Sequence, residues 1–208
     1  MTDNEKKEKK QESGLISAHN YNNYDDYVNF QLEKTRNKQK QARWLGPEWD
    51  LKIKIFKTLF EENIYLIKDK KNALCLGSRT GQEVVALKEL GVENAIGIDL
   101  HEFKPYTIKG DIHKLNFKND TFDLEFTNIL DHSLYPDQFA KEIYRTLKKG
   151  GIFILHIQYE VHSQDKYTET IISSLENIEQ LFKNFTLIKK RKIQSGIIAM
   201  NYEFIFEK

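Results

Sequence analysis

From residue 48 onward, apolar positions switch between two periods. Between Glu48 and Asn63, Trp49, Ile53, Phe56 and Phe60 recur at helical spacing, so one helix face is apolar and is expected to pack on a sheet. Short apolar runs follow at 72–76, 94–99, 123–127 and 151–157 and read as buried strands. Helical patterns near 81–90 and 137–148 lie between them, and Leu147-Lys148-Lys149-Gly150-Gly151 reads as a helix end with a basic last turn and a glycine stop. After the fourth strand, 168–183 has an amphipathic helical pattern, and 185–193 and 197–207 read as two final strands. Strands alternating with helices imply a parallel sheet with right-handed crossovers.

One junction in this pattern carries chemistry. In ALCLGSRTGQEVVALKELGVENAIGIDL, residues 73–100, an apolar strand runs into a turn bounded by Gly77 and Gly81, then a helix, then a strand ending on Asp99. Glycines let the backbone turn tightly and approach a ligand closely. The helix opening near Gln82 presents free N–H groups to that ligand, and an acid at a strand tip is placed to accept from a ribose diol. These features define a nucleotide-cofactor half-site. A dinucleotide fingerprint would read G-x-G-x-x-G, but here the middle glycine is missing and Glu83 stands in the first helical turn. Two like charges would share one helix end if a pyrophosphate bound there. A phosphate-free zwitterion such as S-adenosylmethionine (adenosine, a sulfonium and an amino-acid tail) escapes that conflict.

The downstream order supports the same ligand. GDIHKLNFKNDTFDLEFTNILDH places Asp111 one strand beyond Asp99, then Leu115-Asn116-Phe117, then Phe122-Asp123 at the start of a new apolar strand. Over residues 70–160 this order resembles the class I S-adenosylmethionine-dependent methyltransferases, in particular the type 11 group, whose G-D-x-x-x-L-P-F…F-D segment it follows with Asn116 in place of Pro. The family's glycine loop is typically acid-x-G-x-G-x-G; here Cys75 takes the position of the acid and Ser78-Arg79-Thr80 replaces the central glycine region. The resemblance implies a Rossmann-like α/β fold: a seven-stranded, mostly parallel sheet with an antiparallel last strand and helices on both faces. It implies S-adenosylmethionine as cofactor, with contacts at Gly77, Ser78, Arg79, Gly81, Asp99, Leu100, Asp111, Ile112 and Asn128. In that arrangement the glycine loop underlies the methionine portion, Asp99 takes the ribose hydroxyls, and Asp111 and Ile112 bracket the adenine.

The segment after the fourth strand, NILDHSLYP from Asn128 to Pro136, lies where open α/β sheets place their ligands. It contains an acid–imidazole pair, Asp131 and His132. Imidazoles titrate near neutral pH, so His132 is a candidate base for a hydroxyl acceptor, with Asp131 orienting it. The plainer reading is that Asp131 caps a helix and His132 packs against the cofactor. Asn128 is not followed by the Pro-Pro-Tyr/Phe pattern of amino-methylating DNA and glutamine enzymes. His101 and Glu102 read as rim residues and His113 as a surface loop residue. His156, Tyr159 and His162 are candidates for an acceptor pocket, but their spacing is not that of a zinc site, and no metal is expected.

Charge and composition add bounds. Of 208 residues, 32 are Lys or Arg and 31 Asp or Glu, a net charge of +1 that gives no general pull toward nucleic acid or anionic lipid. The run LEKTRNKQKQAR carries Lys34, Arg36, Lys38, Lys40 and Arg43; phosphate contact is one reading of it, and a solvated helix face is the plainer one. The single cysteine, Cys75, cannot form an internal disulfide, which fits a reducing intracellular and cytoplasmic setting. No apolar run reaches the ~18–20 residues that span a bilayer, and MTDNEKKEKKQESG has no apolar region of a secretory signal.

The chain thus divides into a disordered tail (1–13), an N-terminal helical lid or appendage (14–65) and an S-adenosylmethionine-binding domain (66–208). The expected activity is methyl transfer to an acceptor the sequence does not identify. Short segments after the fourth and fifth strands favour a small molecule over protein or RNA. A non-catalytic scaffold or partner subunit with the same fold is the alternative, and a nicotinamide-dependent oxidoreductase is a distant third.

Overall fold

Strand alternation sorts the core into two layers. Along Asn72–Leu76, Leu74 and Leu76 enter one apolar cluster, whereas Ala73 and Cys75 enter the other, because successive strand side chains point to opposite faces. A sheet built from such strands is buried on both sides and needs helices on both.

The computed structural model describes residues 13–160 and 165–208; most of the tail expected to be disordered, and His162, lie outside them. In chain order the elements are β1 (Ile16–Ser17), α1 (Tyr24–Arg36), α2 (Lys38–Leu45), α3 (Trp49–Glu61), α4 (Ile64–Ile67), β2 (Asn72–Leu76), α5 (Gln82–Glu89) and β3 (Asn94–Asp99). Then come β4 (Thr107–Lys109), β5 (Phe122–Thr127), α6 (Pro136–Thr146), β6 (Leu147–Ile157) and β7 (Thr170–Ile171). The chain closes with α7 (Leu175–Leu181), β8 (Thr186–Lys192) and β9 (Tyr202–Glu207).

Seven strands form the main sheet in the order β4-β3-β2-β5-β6-β9-β8. Pairing is parallel from β4 to β6, and β9 runs antiparallel to both β6 and β8. This is the expected Rossmann-like architecture with an antiparallel last strand. β3 and β5 lie on opposite sides of β2, so the chain changes direction across the sheet there, and a crevice opens beyond the carboxyl ends of β2 and β5. On one face, Ile53, Phe56 and Phe60 of α3 and Val84 and Leu87 of α5 cover Cys75, Phe126 and Ile154, as the apolar stripe of α3 predicts. On the other, Phe139 and Ile143 of α6 and Ile178 of α7 cover Leu74, Phe153 and Leu155. Phe60 is fully buried, a contribution of roughly 2–3 kcal/mol.

Three elements depart from the sequence pattern. α6 ends at Thr146, and Leu147–Gly151 opens β6 rather than closing the helix. Leu147 is fully buried and pairs with Phe122 in the sheet, and Gly150 (φ 74°) bends the strand where its register against β5 shifts. The helix expected over 168–183 is confined to Leu175–Leu181 and starts at a capping box between Ser174 and Asn177. Ahead of it, Thr170 and Ile171 pair antiparallel with Ser17 and Ile16, so the N-terminal segment takes the backbone groups a longer helix would have used. The last expected strand begins only at Tyr202, because Gly196–Ile198 form a 3-10 turn. The three-residue edge strand β4 has too short an apolar signature to be expected.

Candidate functional site

β2 delivers the chain into a turn with three residues in the left-handed region: Gly77 (φ 72°), Arg79 (φ 48°) and Gly81 (φ 87°). A Cβ on Gly77 would sit 2.2 Å from Ile129 Cγ1, and one on Gly81 would sit 2.5 Å from Tyr106 Cβ. Both glycines are therefore required by packing as well as by φ. Arg79 adopts a conformation usually left to glycine, at a cost of about 1–2 kcal/mol. Its backbone N–H donates to Asp99 Oδ2 at 2.9 Å, and its guanidinium lies 4.4 Å from the Trp44 ring centroid. The missing middle glycine is thus made up by an arginine held in left-handed geometry. Ser78 is buried, 2.8 Å from the Thr107 hydroxyl. Gln82, opening α5, donates to the Trp44 carbonyl at 3.0 Å and so ties the turn to α2.

Beyond this turn, Asp99, Leu100, Asp111 and Ile112 line one cavity, roofed by Tyr27 and Gln31 of α1. Asp99 accepts the backbone N–H groups of Arg79 (2.9 Å) and His101 (3.2 Å). Burial pushes its carboxyl above the usual range, against the pull of the Arg79 guanidinium and those N–H groups. Burial would likewise raise Asp111, but hydrogen bonds from His113 and Tyr24 outweigh it and hold that carboxyl low. The Tyr24 hydroxyl donates to Asp111 Oδ2 at 2.6 Å and lies 2.7 Å from His113 Nδ1. His113 is buried, with Nε2 accepting the Tyr135 N–H at 3.2 Å, so the surface-loop reading of this histidine does not hold. Its partners come from α1 and from the segment before α6, a convergence invisible in local sequence.

A second cavity, of about 580 Å³, adjoins the first and is lined in part by Asn128, Asp131 and Gln158. The two cavities share Lys34, Gly77, Arg79, Ile129 and His132. At its glycine-turn end, Arg43 and Lys52 reach Glu48 at 2.6 and 2.8 Å. Burial would raise the Glu48 carboxyl, but Lys52, Arg43 and Arg79 outweigh it and keep it ionised. Glu83 also faces this end, and burial pushes it up to about 8, so at neutral pH it is mostly protonated. The charge conflict that the sequence argues against a pyrophosphate is therefore weaker than it reads, because Glu83 carries little charge in this setting.

At the junction, His132 Nδ1 lies 2.8 Å from the Tyr167 carbonyl oxygen and Nε2 lies 3.3 Å from Lys34 Nζ. A carbonyl only accepts, so Nδ1 carries the proton and Nε2 presents its lone pair to the cavity side. The group that orients the imidazole is thus the Tyr167 carbonyl; Asp131 approaches the other nitrogen, Nε2, at 3.8 Å. Lys34 also pairs with Asp165, and burial with the nearby Arg79 guanidinium pulls its ammonium below the usual range. The basic run is therefore split: Lys34, Lys40 and Arg43 line the cavity rather than forming one solvated face.

Among the other sequence candidates, His156 lies in the sheet, fully buried, 3.0 Å from Glu203 Oε2. His101 packs edge-on against Phe103 and Tyr159 against Tyr202, and neither they nor Glu102 line the two cavities. Among the described residues no group of three or more His, Cys, Asp or Glu is placed to hold a metal ion, and no helix is long and apolar enough to cross a membrane. Sequence reasoning missed Glu169, fully buried between Tyr21 (2.5 Å) and Gln31 (2.7 Å). It also missed Lys52, Glu48 and Tyr167 as site residues; the only local signal is their charge or ring amid an apolar pattern.

Residues 74–155 match the family model described as a methyltransferase domain. Among solved structures, the 1,6-didemethyltoxoflavin-N1-methyltransferase of Burkholderia thailandensis, with 1,6-didemethyltoxoflavin and S-adenosylhomocysteine bound, is 11% identical, with a TM-score of 0.67 over 93% of this chain and 94% of that one. A methyltransferase in complex with the Haloferax volcanii Trm112 methyltransferase activator is 12% identical, with a TM-score of 0.64 over 88% and 97%. An S-adenosylmethionine-dependent methyltransferase of Thermotoga maritima is 19% identical, with a TM-score of 0.59 over 84% and 98%. No curated protein matches the chain. The fold is that of the Rossmann-like methyltransferases. Within it, residues 74–155 are similar to a methyltransferase domain of type 11.

Proposed function

We propose that the protein is an S-adenosylmethionine-dependent methyltransferase acting on a small molecule through a nucleophilic O–H or N–H group. One observation carries the proposal: the two cavities meet at Gly77, Ile129 and His132, where His132 turns an unprotonated nitrogen toward the junction. The residues present fit the cofactor. Asp99 offers a buried carboxylate to a ribose diol, with Leu100 and Ile112 as apolar walls. At the other end, Arg43, Lys52 and Arg79 surround one ionised carboxylate, an excess of positive charge that suits the carboxylate of an amino-acid tail.

When bound, S-adenosylmethionine supplies a methyl group already activated by the sulfonium. The protein then has to align the acceptor and exclude water. The α1 roof, with Tyr27 and Gln31, serves the exclusion, in keeping with the N-terminal segment as a lid. His132 Nε2 accepts the acceptor's proton, and the Tyr167 carbonyl holds the ring in the tautomer that allows it. Before the acceptor arrives, Lys34 Nζ occupies the hydrogen-bonding position at Nε2 and must give way to it.

The test is calorimetric titration of the full chain with S-adenosylmethionine and S-adenosylhomocysteine, beside an Asp99→Ala variant. Micromolar binding by the wild type and at least a roughly tenfold loss in the variant is the expected result. A wild type that binds neither compound would sink the proposal and favour a scaffold with a methyltransferase fold.

A further inference from the structure

The glycine-turn end of the larger cavity is unevenly charged. Arg43, Lys52 and Arg79 face it, and both oxygens of Glu48 are taken, one by Arg43 and one by Lys52. An α-carboxylate entering here finds cations in excess. The ammonium of the same amino-acid tail finds itself among them, and a buried cation without an anion of its own is costly. Asp99 already accepts two backbone N–H groups at the far side of the turn. Asp165 is paired with Lys34 and Asp131 lies beside His132, which leaves Glu83 at the glycine-turn end. It is 4% exposed, lines this cavity, and accepts a hydrogen bond from its own backbone N–H. Among the described residues no other side chain donates to it.

We infer that Glu83 is the ammonium-binding residue of this cavity, its carboxylate holding the α-amino group of the cofactor's tail while the opposing cations hold the α-carboxylate. The inference rests on the cofactor reading above. Helix α5 places Glu83 in its first turn, two residues past Gly81 and near Cys75 of β2, which stands at the position an acid takes in the family pattern; the buried thiol is raised by burial and then by Glu83 itself. The charged groups that face Glu83 are Arg79 of the turn, Asp99 of β3 and Lys52 of α3. In the free protein, burial foremost and Asp99 in support keep its carboxyl protonated, against the two cations. An ammonium brought within contact reverses that balance. The O–H bond of the carboxyl breaks, the proton passes to solvent, and the carboxylate pairs with the intact ammonium, so binding and proton release are linked.

The experiment is calorimetry at pH 7 in two buffers of different ionisation heat, with the full chain and its Glu83→Gln variant. The ligands are S-adenosylmethionine and 5′-deoxy-5′-methylthioadenosine, which keeps the nucleoside and the sulfur but lacks the amino-acid tail. Glu83→Gln is expected to weaken S-adenosylmethionine roughly tenfold to hundredfold and to leave the tail-less ligand within about twofold. Wild-type binding of S-adenosylmethionine is expected to release about one proton, the variant none, and the tail-less ligand none from either protein. Unchanged S-adenosylmethionine binding by the variant would overturn the inference. So would equal loss of both ligands, which would mark Glu83 as a structural residue. A wild type that takes up neither ligand would remove the cofactor reading itself, an outcome distinct from both.

Discussion

Arg79 concentrates two opposing demands on one residue. Its backbone sits at φ 48°, where an L side chain is strained, while its guanidinium stacks on Trp44 and faces the cavity. Replacing it separates the two. Arg79→Ala and Arg79→Gly both remove the guanidinium, so both are expected to weaken S-adenosylmethionine binding to the same extent. Only alanine keeps the strain. The glycine variant should therefore be more stable than the alanine variant by about 1 kcal/mol, the reverse of the usual order, as measured by urea denaturation. An alanine variant as stable as the glycine one would show that the loop rearranges. At this scale the sequence spoke clearly where chemistry is local: Gly77, Gly81 and Asp99 follow from a strand-turn-helix-strand pattern. It was silent where burial decides. Neither the protonation of Glu83 nor the seclusion of His113 can be read before the fold has packed other segments around them.

Among the elements, β6, β8 and β9 are joined through a buried cluster as well as their ladder. Glu203 of β9 accepts from Arg191 Nε of β8 at 2.6 Å and from Asn63 Nδ2 at 3.0 Å, and lies 3.0 Å from His156 Nε2 of β6. Burial would raise its carboxyl, but His156 and Arg191 outweigh that and hold it at about 2, below the ordinary 4.5. A carboxylate depressed on folding stabilises above its unfolded pKa and loses that contribution as pH falls toward the folded one. Wild-type stability should therefore exceed that of Glu203→Gln at pH 6 by up to roughly 3 kcal/mol, with the gap closing between pH 4.5 and 2. A gap that stays constant across that range would show that the loss is one of packing. The elements were largely legible, since strands buried on both faces declare themselves by unbroken apolar runs. The exceptions, 168–174 and 147–151, are places where a distant strand claimed backbone groups that a local pattern assigned to a helix.

Over the whole molecule, the roof of the adenosine-side cavity is fastened to distant segments: Tyr24 to Asp111, Tyr27 to the His132 carbonyl, and the N-terminal segment to Glu169. Glu169 takes the Tyr21 hydroxyl and the Gln31 amide, and its backbone carbonyl accepts the Ala18 N–H at 2.7 Å, beside the β1–β7 pair. Glu169→Gln keeps the side chain's volume but replaces one acceptor oxygen with a donor. Amide hydrogen exchange across α1 is expected to quicken by roughly tenfold in that variant, while β2 and β5 stay protected. Uniform acceleration through the sheet would mean that Glu169 supports the fold at large rather than the roof. This layer was the least legible: a buried carboxylate between two threonines has no periodic signature, and its partners lie about 140–150 positions earlier.

The same separation bears on how the protein is made. The roof helix is made ahead of the sheet, and Glu169, one of its anchors, only after every parallel strand. A nascent chain halted before residue 165 can assemble β2 to β6 and hold α1 through Tyr24 and Tyr27, but it lacks the Asp165 and Glu169 contacts to Lys34, Tyr21 and Gln31. Closure of the roof over a ligand thus proceeds in at least two stages, the second waiting on residues 165–169.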